Sequence, residues 1–355
     1  MPLKRIHIDP NWLFRDEAGN TLDPQLFRLL EEIYHHKKLT AATKSMGISY
    51  RHGWNLLGKW ADFFGTPLVM LEKGRGANLT PLGEKLLWAE QRVIARFQPQ
   101  MASLASELNI ELQKALVNLT PLLRIQASHG YAVALLPDAC SNLQLDLQYS
   151  SPLEALSALN RDSCDLAGFH VPRGVVINTL LKQYQQFLKP RAHKIIRFIT
   201  RQQGLMVRKD GSLDINRLED LTQDKVRFIN RQEDSGTRAL FDQLLMNHDL
   251  SPNDIIGYNN KEFTHSAVAA YVASNMADAG FGVEQAAHQF DLRFIPICTE
   301  DYVFVCHQKN LNKAAITEFI HSIESTEFQE KIHVLAGYKG DKLGVIEDLS
   351  HFMPS

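Results

Sequence analysis

The sequence predicts two folded units, an N-terminal helical unit with a short hairpin and a C-terminal α/β unit with a mostly parallel sheet. Three observations support this. The 355 residues exceed what one hydrophobic core usually serves. Apolar residues recur at helical spacing as far as Leu112, whereas short apolar strands alternate with helices after Leu119. The content of 45% hydrophobic and 22% charged residues is that of a globular protein, so global disorder is excluded.

Bulk properties narrow the class of protein further. No apolar run approaches the roughly 20 residues that span a bilayer, and Met1 to Asp9 carries charges, so we expect a cytoplasmic protein with no membrane partner. The four cysteines form no C-x-x-C pair, which predicts buried free thiols and no metal site. Because the formal net charge is -2, any nucleic-acid contact must come from a local basic face.

The first hundred residues contain the elements of a DNA-binding unit. Apolar residues between Gln25 and Lys37 recur at helical spacing. Thr40 is expected to cap a second helix, Gly47 to take a turn conformation that side chains resist, and Ser49 to cap a third helix. A helix, a turn and a helix within about 25 residues form the unit whose later helix enters the major groove.

The third helix has an apolar and a polar side. Its period predicts a buried stripe of Tyr50, Gly53, Trp54, Leu57, Trp60, Ala61 and Phe64. The predicted DNA-contacting residues on the other side are Ser49, Arg51, His52, Asn55 and Lys59. Arginine and asparagine can make bidentate contacts to guanine and adenine edges, so we expect Arg51, His52 and Asn55 to read bases. The alternative is an ordinary solvated helix face.

A basic hairpin follows the third helix. Leu68 to Glu72 is typical of a strand, Lys73-Gly74-Arg75-Gly76 of a tight turn, and Asn78-Leu79 of the returning strand. Lys73 and Arg75 on a glycine-rich tip can approach phosphates or the minor groove. The pattern therefore predicts a wing, with a generic surface hairpin as the alternative.

Thr80-Pro81 begins a long helix with a continuous apolar stripe, formed by Leu82, Leu86, Val93, Phe97, Met101, Leu104, Leu108 and Leu112. Pro99 is expected to kink or split this helix because proline removes a backbone donor. A stripe of this length needs a partner surface. A second copy of the chain would make a homodimer or higher homo-oligomer with the symmetry of a palindromic operator, and packing on the chain's own C-terminal domain is the alternative.

The motif GISYRHGW, followed by a wing ending in ANLTPLGEKLL, resembles the DNA-binding domain of molybdate-responsive ModE-type regulators. LysR-type domains are more distant relatives. The resemblance covers roughly residues 20 to 115 and implies a dimeric winged helix-turn-helix that binds double-stranded DNA. ModE-type repressors hold molybdate in C-terminal barrels with an SARNQ signature, which this sequence lacks, so molybdate sensing is not implied by this resemblance.

In the C-terminal unit, polar residues follow the predicted strands. Ligands of α/β sheets collect beyond the carboxyl ends of strands, so these positions are the expected site. One strand runs into Ser128-His129-Gly130, another into Ser150-Ser151, and a third into a loop that contains Ser235-Gly236-Thr237-Arg238. A helix that starts near Thr237 would direct backbone N–H groups at an anion, while Arg238 would add a charge. The alternative is a capped helix without a ligand.

The stretches RFINRQEDSGTRALFDQLL, GYNNKEFTHSAVAAYVASNMADAGFGVEQAA and LRFIPICTEDYVFV resemble the PBP-like domain of periplasmic molybdate- and tungstate-binding proteins. The resemblance implies a two-lobed, type II domain over residues 119–345, with lobe I at about 119–200 and 303–345 and lobe II at about 205–296. Residues 1–80 would form the winged helix-turn-helix and 81–118 the linker and dimerisation helix. The implied ligand-binding residues are Ser128, His129, Ser151, His170, Arg201, Gln203, Ser235, Gly236, Thr237, Arg238 and Tyr302, with His265 as a further candidate.

Together these patterns predict a ligand-responsive transcriptional regulator that senses a small anion, such as molybdate, tungstate or another oxyanion. A regulator that senses a small organic acid and a transport-type solute-binding protein are the alternatives. No nucleophile with a base, metal cluster or complete G-x-G-x-x-G fingerprint is found, so we expect neither an enzyme nor a cofactor.

Overall fold

A computed structural model describes residues 6–9, 13–15, 17, 19, 21, 23–72, 76–115, 121–174, 182–211 and 213–349. The chain divides into two compact units. One comprises Asp9–Ala95, and the other comprises Arg96–Ser355 together with Met1–Ile8. None of the helices in the described ranges combines the length and apolar character needed to cross a bilayer.

Besides the first part of the long helix that begins at Pro81, the described residues of the N-terminal unit form three helices and an antiparallel hairpin. These elements are α1 (Gln25–His36), α2 (Leu39–Ser45), α3 (Tyr50–Phe64), β1 (Val69–Glu72) and β2 (Gly76–Leu79). Gly47 takes the expected positive φ of 69°, and Ser49 caps α3 by accepting a hydrogen bond from the His52 amide. The expectation for Thr40 is wrong, because α2 begins one residue earlier, at Leu39, with no side-chain cap.

The predicted buried stripe of α3 is partly wrong. Trp60 and Leu57 are buried as expected, but Tyr50 and Trp54 are 48% and 51% exposed and stack on each other. Leu56 is buried in their place. Close packing of α2 on α3 sets this orientation, since a Cβ at Gly53 would lie 2.5 Å from Cγ2 of Thr43.

Helix α4 (Pro81–Ala115) continues through Pro99, so of the kink or split expected there the split does not occur. Its C-terminal part packs on the C-terminal unit: the Ser106 hydroxyl donates to the Leu145 carbonyl, and the Ser103 hydroxyl accepts from the Tyr149 amide. Four residues of the predicted apolar stripe are nevertheless 39 to 49% exposed, namely Phe97, Leu104, Leu108 and Leu112. One side of the helix is therefore attached to its own chain, while an apolar side stays open.

The C-terminal unit is built on one sheet that passes through both lobes. Its strands are β3 (Leu122–Ala127), β4 (Gln144–Tyr149), β5 (Leu166–Pro172), β6 (His193–Val207), β7 (Phe228–Arg231), β8 (Lys261–Glu262), β9 (Ala279–Val283), β10 (Arg293–His307), β11 (Tyr338–Lys339) and β12 (Ile346–Asp348). The order is β4-β3-β5-β10-β6-β9-β7-β8, with β11 and β12 also paired to β6.

Helices connect and cover these strands. They include α5 (Tyr131–Ala134), α6 (Leu136–Ala139), α7 (Pro152–Asn160), α8 (Gly236–Asn247), α9 (His265–Ala273), α10 (Glu284–Gln289), α11 (Ala314–Glu324) and α12 (Thr326–His333). Short 3₁₀ turns lie at Leu218–Thr222, Pro252–Asp254 and Gln308–Asn310.

The two long strands, β6 and β10, are the crossovers between two lobes. They pair antiparallel along their length; β5 adds to β10 from Glu300 onward, and β9 adds to β6 from Gln203 onward. Each lobe has its own core, around Phe169 and Val303 in lobe I and around Phe228 and Phe281 in lobe II. The two-lobed architecture predicted for this region is confirmed. The expectation of a mostly parallel sheet is wrong, because both crossover strands pair antiparallel with their neighbours, and within the described ranges parallel pairing is found only at β3 with β4 and β5 and at β7 with β8 and β9.

Candidate functional site

A cavity of about 300 Å³ lies in the cleft between the lobes, at the carboxyl ends of β3, β4, β5 and β7. Lobe I contributes the loops that follow its strands, lobe II contributes the start of α8, and α4 contributes one wall. The lining residues are Arg96, Pro99, Gln100, Ser128, His129, Tyr149, Ser150, Ser151, Pro152, Glu154, His170, Arg231, Gln232, Asp234, Ser235, Gly236, Thr237, Phe263 and His265.

Arg231 is the buried cation of this cavity. Its side chain ends β7 and is only 7% exposed. Nε donates to Oε1 of Gln232 at 3.1 Å and Nη2 to the Phe263 carbonyl at 2.9 Å, and no carboxylate of the described residues lies within salt-bridge distance. Burial, and then repulsion by Arg201, lower the pKa of Arg231 to about 9. Asp234 and Glu300 act on this charge only from a distance. A buried cation that no carboxylate contacts is costly, so this position favours an anion.

Two carboxylates also line the cavity, and both are engaged elsewhere or open to solvent. Oε2 of Glu154 accepts hydrogen bonds from the Ser151 amide and hydroxyl, each at 2.9 Å. Asp234 is exposed. Neither carboxylate neutralises Arg231 by direct contact.

Arg201 and Gln203, predicted as ligand-binding residues, lie behind the cavity at the crossover. Nε of Arg201 donates to Oε1 of Glu300 at 2.6 Å, and Nε2 of Gln203 donates to the same oxygen at 2.7 Å. Burial alone would raise the pKa of Glu300, but Arg201 holds it below its ordinary value. Arg201 is therefore a neutralised cation that joins the two long strands.

Tyr302 also supports the site from behind. It is fully buried, and its hydroxyl donates to the Ser128 carbonyl at 2.8 Å. This bond fixes the loop that presents Ser128, so the structure gives Tyr302 a positioning role where the sequence predicted direct ligand contact.

Histidines form neutral walls in the cavity. Burial, and then the charge of Arg231, lower the pKa of His129 to about 3, and burial lowers that of His170 to about 4. Burial also holds the pKa of His265 well below its ordinary value. Both ring nitrogens of His170 and Nδ1 of His265 are buried without a hydrogen-bond partner. Each neutral imidazole can donate one N–H bond to a ligand.

Two hydroxyl groups are unpartnered as well. Oγ of Ser128 and Oγ of Ser150 are buried and have no hydrogen-bond partner. Ser151, the residue predicted from the sequence, instead caps α7 in a capping box with Glu154. Ser150 is thus the open hydroxyl of that loop. Unpartnered buried polar groups are rare in folded proteins, and four residues that carry them, Ser128, Ser150, His170 and His265, line this one cavity.

The start of α8 forms the lobe II side of the cavity. Ser235 caps the helix by accepting from the Arg238 amide at 3.1 Å, and Thr237 lines the cavity. The helix approaches lobe I closely, since a Cβ at Gly236 would lie 2.2 Å from Nε2 of His170. The positive end of this 12-residue helix therefore faces the cavity.

Arg238 is not a cavity residue, contrary to the prediction. Its Nε donates to both carboxylate oxygens of Asp242 at 2.9 and 3.1 Å, and its guanidinium stacks over the Tyr258 ring at 4.0 Å. The charge expected from Arg238 comes from Arg231 instead. Because strand side chains alternate between faces, only the register of β7 shows that Arg231 faces the cleft.

A second candidate site is the polar face of α3 in the N-terminal unit. Arg51, His52, Asn55 and Lys59 are exposed along this helix, as predicted, and Ser49 is committed to its cap. Lys73 and Arg75 lie outside the described residues. The exposed pair of Tyr50 and Trp54, which the sequence placed in the core, adds aromatic surface to the same helix. Throughout the described ranges, no group of three or more His, Cys, Asp or Glu side chains is placed to hold a metal ion.

Comparison with known proteins matches the domain model of the PBP superfamily to residues 133–324. The uncharacterized protein YvgK of Bacillus subtilis is 29% identical over 199 residues, which are 56% of this chain and 64% of YvgK. The molybdenum-pterin-binding protein MopB of Rhodobacter capsulatus is 27% identical over 121 residues, 33% of this chain and 44% of MopB. The chain thus spans less than two thirds of either relative.

Among solved structures, the hydrogen-peroxide-bound OxyR mutant of Corynebacterium glutamicum is similar to this chain. It has a TM-score of 0.44 and 16% identity, and the match covers 88% of this chain and 94% of that protein.

Proposed function

Because this chain belongs to the PBP superfamily, whose domain model covers more than half of it, we propose that its cleft binds a small anion that controls DNA binding by the N-terminal unit. One observation carries the proposal. Arg231 is a buried cation that no carboxylate of the described residues approaches within salt-bridge distance, and buried hydroxyl and imidazole groups without hydrogen-bond partners line the same cavity. The proposal includes no reaction and no cofactor, and DNA binding would place the protein in the cytoplasm.

The chemistry of the cavity favours an oxyanion. Hydroxyls, neutral imidazoles and a helix start line one cavity, whose volume of about 300 Å³ is at the small end for ligand sites. The partial similarity to a molybdenum-pterin-binding protein makes molybdate the first candidate to test, together with tungstate as its chemical analogue. The rings of Tyr149 and Phe263 also line the cavity, so a small carboxylate with an apolar part is the second candidate.

The N-terminal unit supports the DNA-binding half of the proposal. Helix α3 follows a short helix and a turn, as in a helix-turn-helix, and it exposes an arginine and an asparagine one turn apart. The exposed Leu104, Leu108 and Leu112 of α4 favour a homodimer that would match a palindromic operator. Sedimentation of the full chain as a monomer at micromolar concentration would contradict that dimer.

Two measurements on the full chain test the proposed function. In a thermal-shift screen with molybdate, tungstate, sulfate, phosphate and malonate, the true class of ligand stabilises the fold by about 2.7 kcal/mol at a hundredfold excess over Kd. Selection from a random duplex library should then yield a preferred site, and the active anion should change the affinity for it.

Substitutions test whether α3 makes the DNA contacts that the duplex selection detects. Arg51→Ala should lose about 1 to 3 kcal/mol at one base pair of the selected site, whereas Arg161→Ala, in the C-terminal unit, should not. If no duplex is selected, or if anions bind without changing DNA affinity, the regulator assignment fails and a solute-binding protein becomes the better account.

A further inference from the structure

The long helix takes part in the anion cavity. Arg96, Pro99 and Gln100 of α4 line the cavity beside residues of both lobes. The same helix begins at Pro81, within the N-terminal unit. The chain therefore places part of the helix that joins its two units at the edge of the cavity.

Arg96 is held at this edge by a weak contact. Its guanidinium lies 4.7 Å from the centre of the Phe263 ring, and the side chain is exposed. It forms no salt bridge with any carboxylate of the described residues. A cation over an aromatic ring at an exposed site is held less strongly than one that donates charge-assisted hydrogen bonds to an anion.

Phe263 connects this arginine to the buried one. Its carbonyl accepts the hydrogen bond from Nη2 of Arg231 at 2.9 Å, while its ring carries Arg96. Two cations from distant parts of the chain thus lie on one residue of the cavity wall. An anion at Arg231 would attract the guanidinium of Arg96, and this exposed side chain could exchange its contact with the ring for one with the anion.

We propose that Arg96 is the second cation of the site: it moves from the Phe263 ring to the bound anion and so makes α4 respond to occupancy. This inference rests on the proposed function, since it requires that the cleft bind an anion. It adds that the helix itself contacts the ligand. Movement of the lobes alone would then not account for the whole regulatory response.

The test compares the full-length wild type with Arg96→Gln, Arg96→Lys and a control, Arg161→Gln, which removes an exposed arginine outside the cavity. Calorimetry measures the affinity for molybdate, sulfate, phosphate and malonate. Hydrogen exchange follows the amides of residues 94–101 in α4 and of residues 232–240 at the start of α8.

With the anion that binds, we expect protection of both segments in the wild type and in Arg161→Gln. In Arg96→Gln the affinity should fall about tenfold, and protection should remain only at residues 232–240. Arg96→Lys should recover part of both effects, because it keeps the charge. Wild-type affinity and wild-type protection of residues 94–101 in Arg96→Gln would overturn the inference and leave the proposed function intact. Failure of all four anions to bind the wild type would overturn both.

Discussion

The polar face of α3 and the cleft of the C-terminal unit hold their cations in opposite ways. Arg51 and Lys59 are exposed, and the helix alone places them. Arg231 is buried, and five other segments of chain line the cavity around it. Solvated cations suit a large polyanion that releases its counter-ions on binding. A buried cation whose hydrogen-bond partners are uncharged suits a small anion that fits one cavity.

The two sites also differ in how stable their polar groups are without a ligand. The α3 face is stable without DNA, because water solvates its charges. The cleft contains unsatisfied hydroxyls and imidazoles together with a cation whose pKa is lowered to about 9 by burial. The cleft should therefore gain stability from its ligand, and removal of its cation should be tolerated.

The largest expected effect is a loss of anion affinity on substitution of Arg231, compared with substitution of Arg238, seven positions further along the chain. Arg231→Met should weaken anion binding at least a hundredfold, since loss of one partner of a buried charged contact costs about 2 to 5 kcal/mol. Its ligand-free stability should be unchanged or higher, because a desolvated cation is removed. Calorimetry and urea unfolding measure the two quantities.

Arg238→Met is the matched control. It should keep the anion affinity and lose about 1 kcal/mol of stability, because Arg238 pairs with the half-exposed Asp242. If Arg238→Met abolishes binding while Arg231→Met preserves it, our assignment of the buried cation is wrong.

These two arginines also show how far the sequence predicts the site. The post-strand loops with Ser128, Ser150 and Ser235 were found, because loops after parallel strands always meet at one edge of a sheet. The arginine was misassigned, because the side that a residue faces at the end of a strand depends on register. Pairing of Arg201 with Glu300, 99 positions away, could not be read from local sequence at all.

The N-terminal unit shows the complementary limit. The three helices, the hairpin and the Ser49 cap follow from local patterns. Periodicity predicts that α3 has an apolar face, but it does not determine which residues at the edge of that face are buried. The pattern therefore predicts Tyr50 and Trp54 in the core, where the structure does not place them. The contact of Thr43 with Gly53 sets the orientation of that face, and it depends on the packing of two helices.

Acid should affect the cleft through its buried histidines. His170 has a pKa of about 4 in the folded chain and 6.5 as the ordinary value. As the pH falls from 6.5 toward 4, the unfolded chain takes up a proton that the folded chain does not, so stability that is complete above 6.5 is progressively lost. The loss should be about 2 kcal/mol at pH 5 for this group.

The tryptophans allow the two units to be followed separately. All four lie between Trp12 and Trp88, so their fluorescence reports the N-terminal unit, whereas far-UV circular dichroism reports both. Urea unfolding at pH 7 and pH 5 should show an acid-sensitive transition by circular dichroism, and His170→Gln should reduce that sensitivity. Equal pH dependence in wild type and His170→Gln would contradict the role given to burial.

The smallest expected effect compares the same substitution in two helices. A Cβ at Gly58, on the exposed side of α3, meets no atom within 4 Å, so Gly58→Ala should stabilise the N-terminal unit by about 1 kcal/mol through helix propensity. A Cβ at Gly236 would lie 2.2 Å from Nε2 of His170. Gly236→Ala should therefore cost about 1 kcal/mol or more, because the ring must move.

The Gly236 substitution also tests whether close approach of the lobes matters for the ligand. Displacing the His170 ring moves one wall of the cavity relative to the start of α8, so anion affinity should fall together with stability. Unfolding followed by tryptophan fluorescence measures the stability of Gly58→Ala. Unfolding followed by circular dichroism measures the stability of Gly236→Ala, and calorimetry measures its anion affinity. If Gly236→Ala bound the anion as tightly as wild type, the contact between α8 and His170 would not shape the bound state. In that case the groups of the cleft would contact the ligand independently of one another, as the side chains of the α3 face are proposed to contact DNA. Close approach of the second lobe would then not be needed for binding.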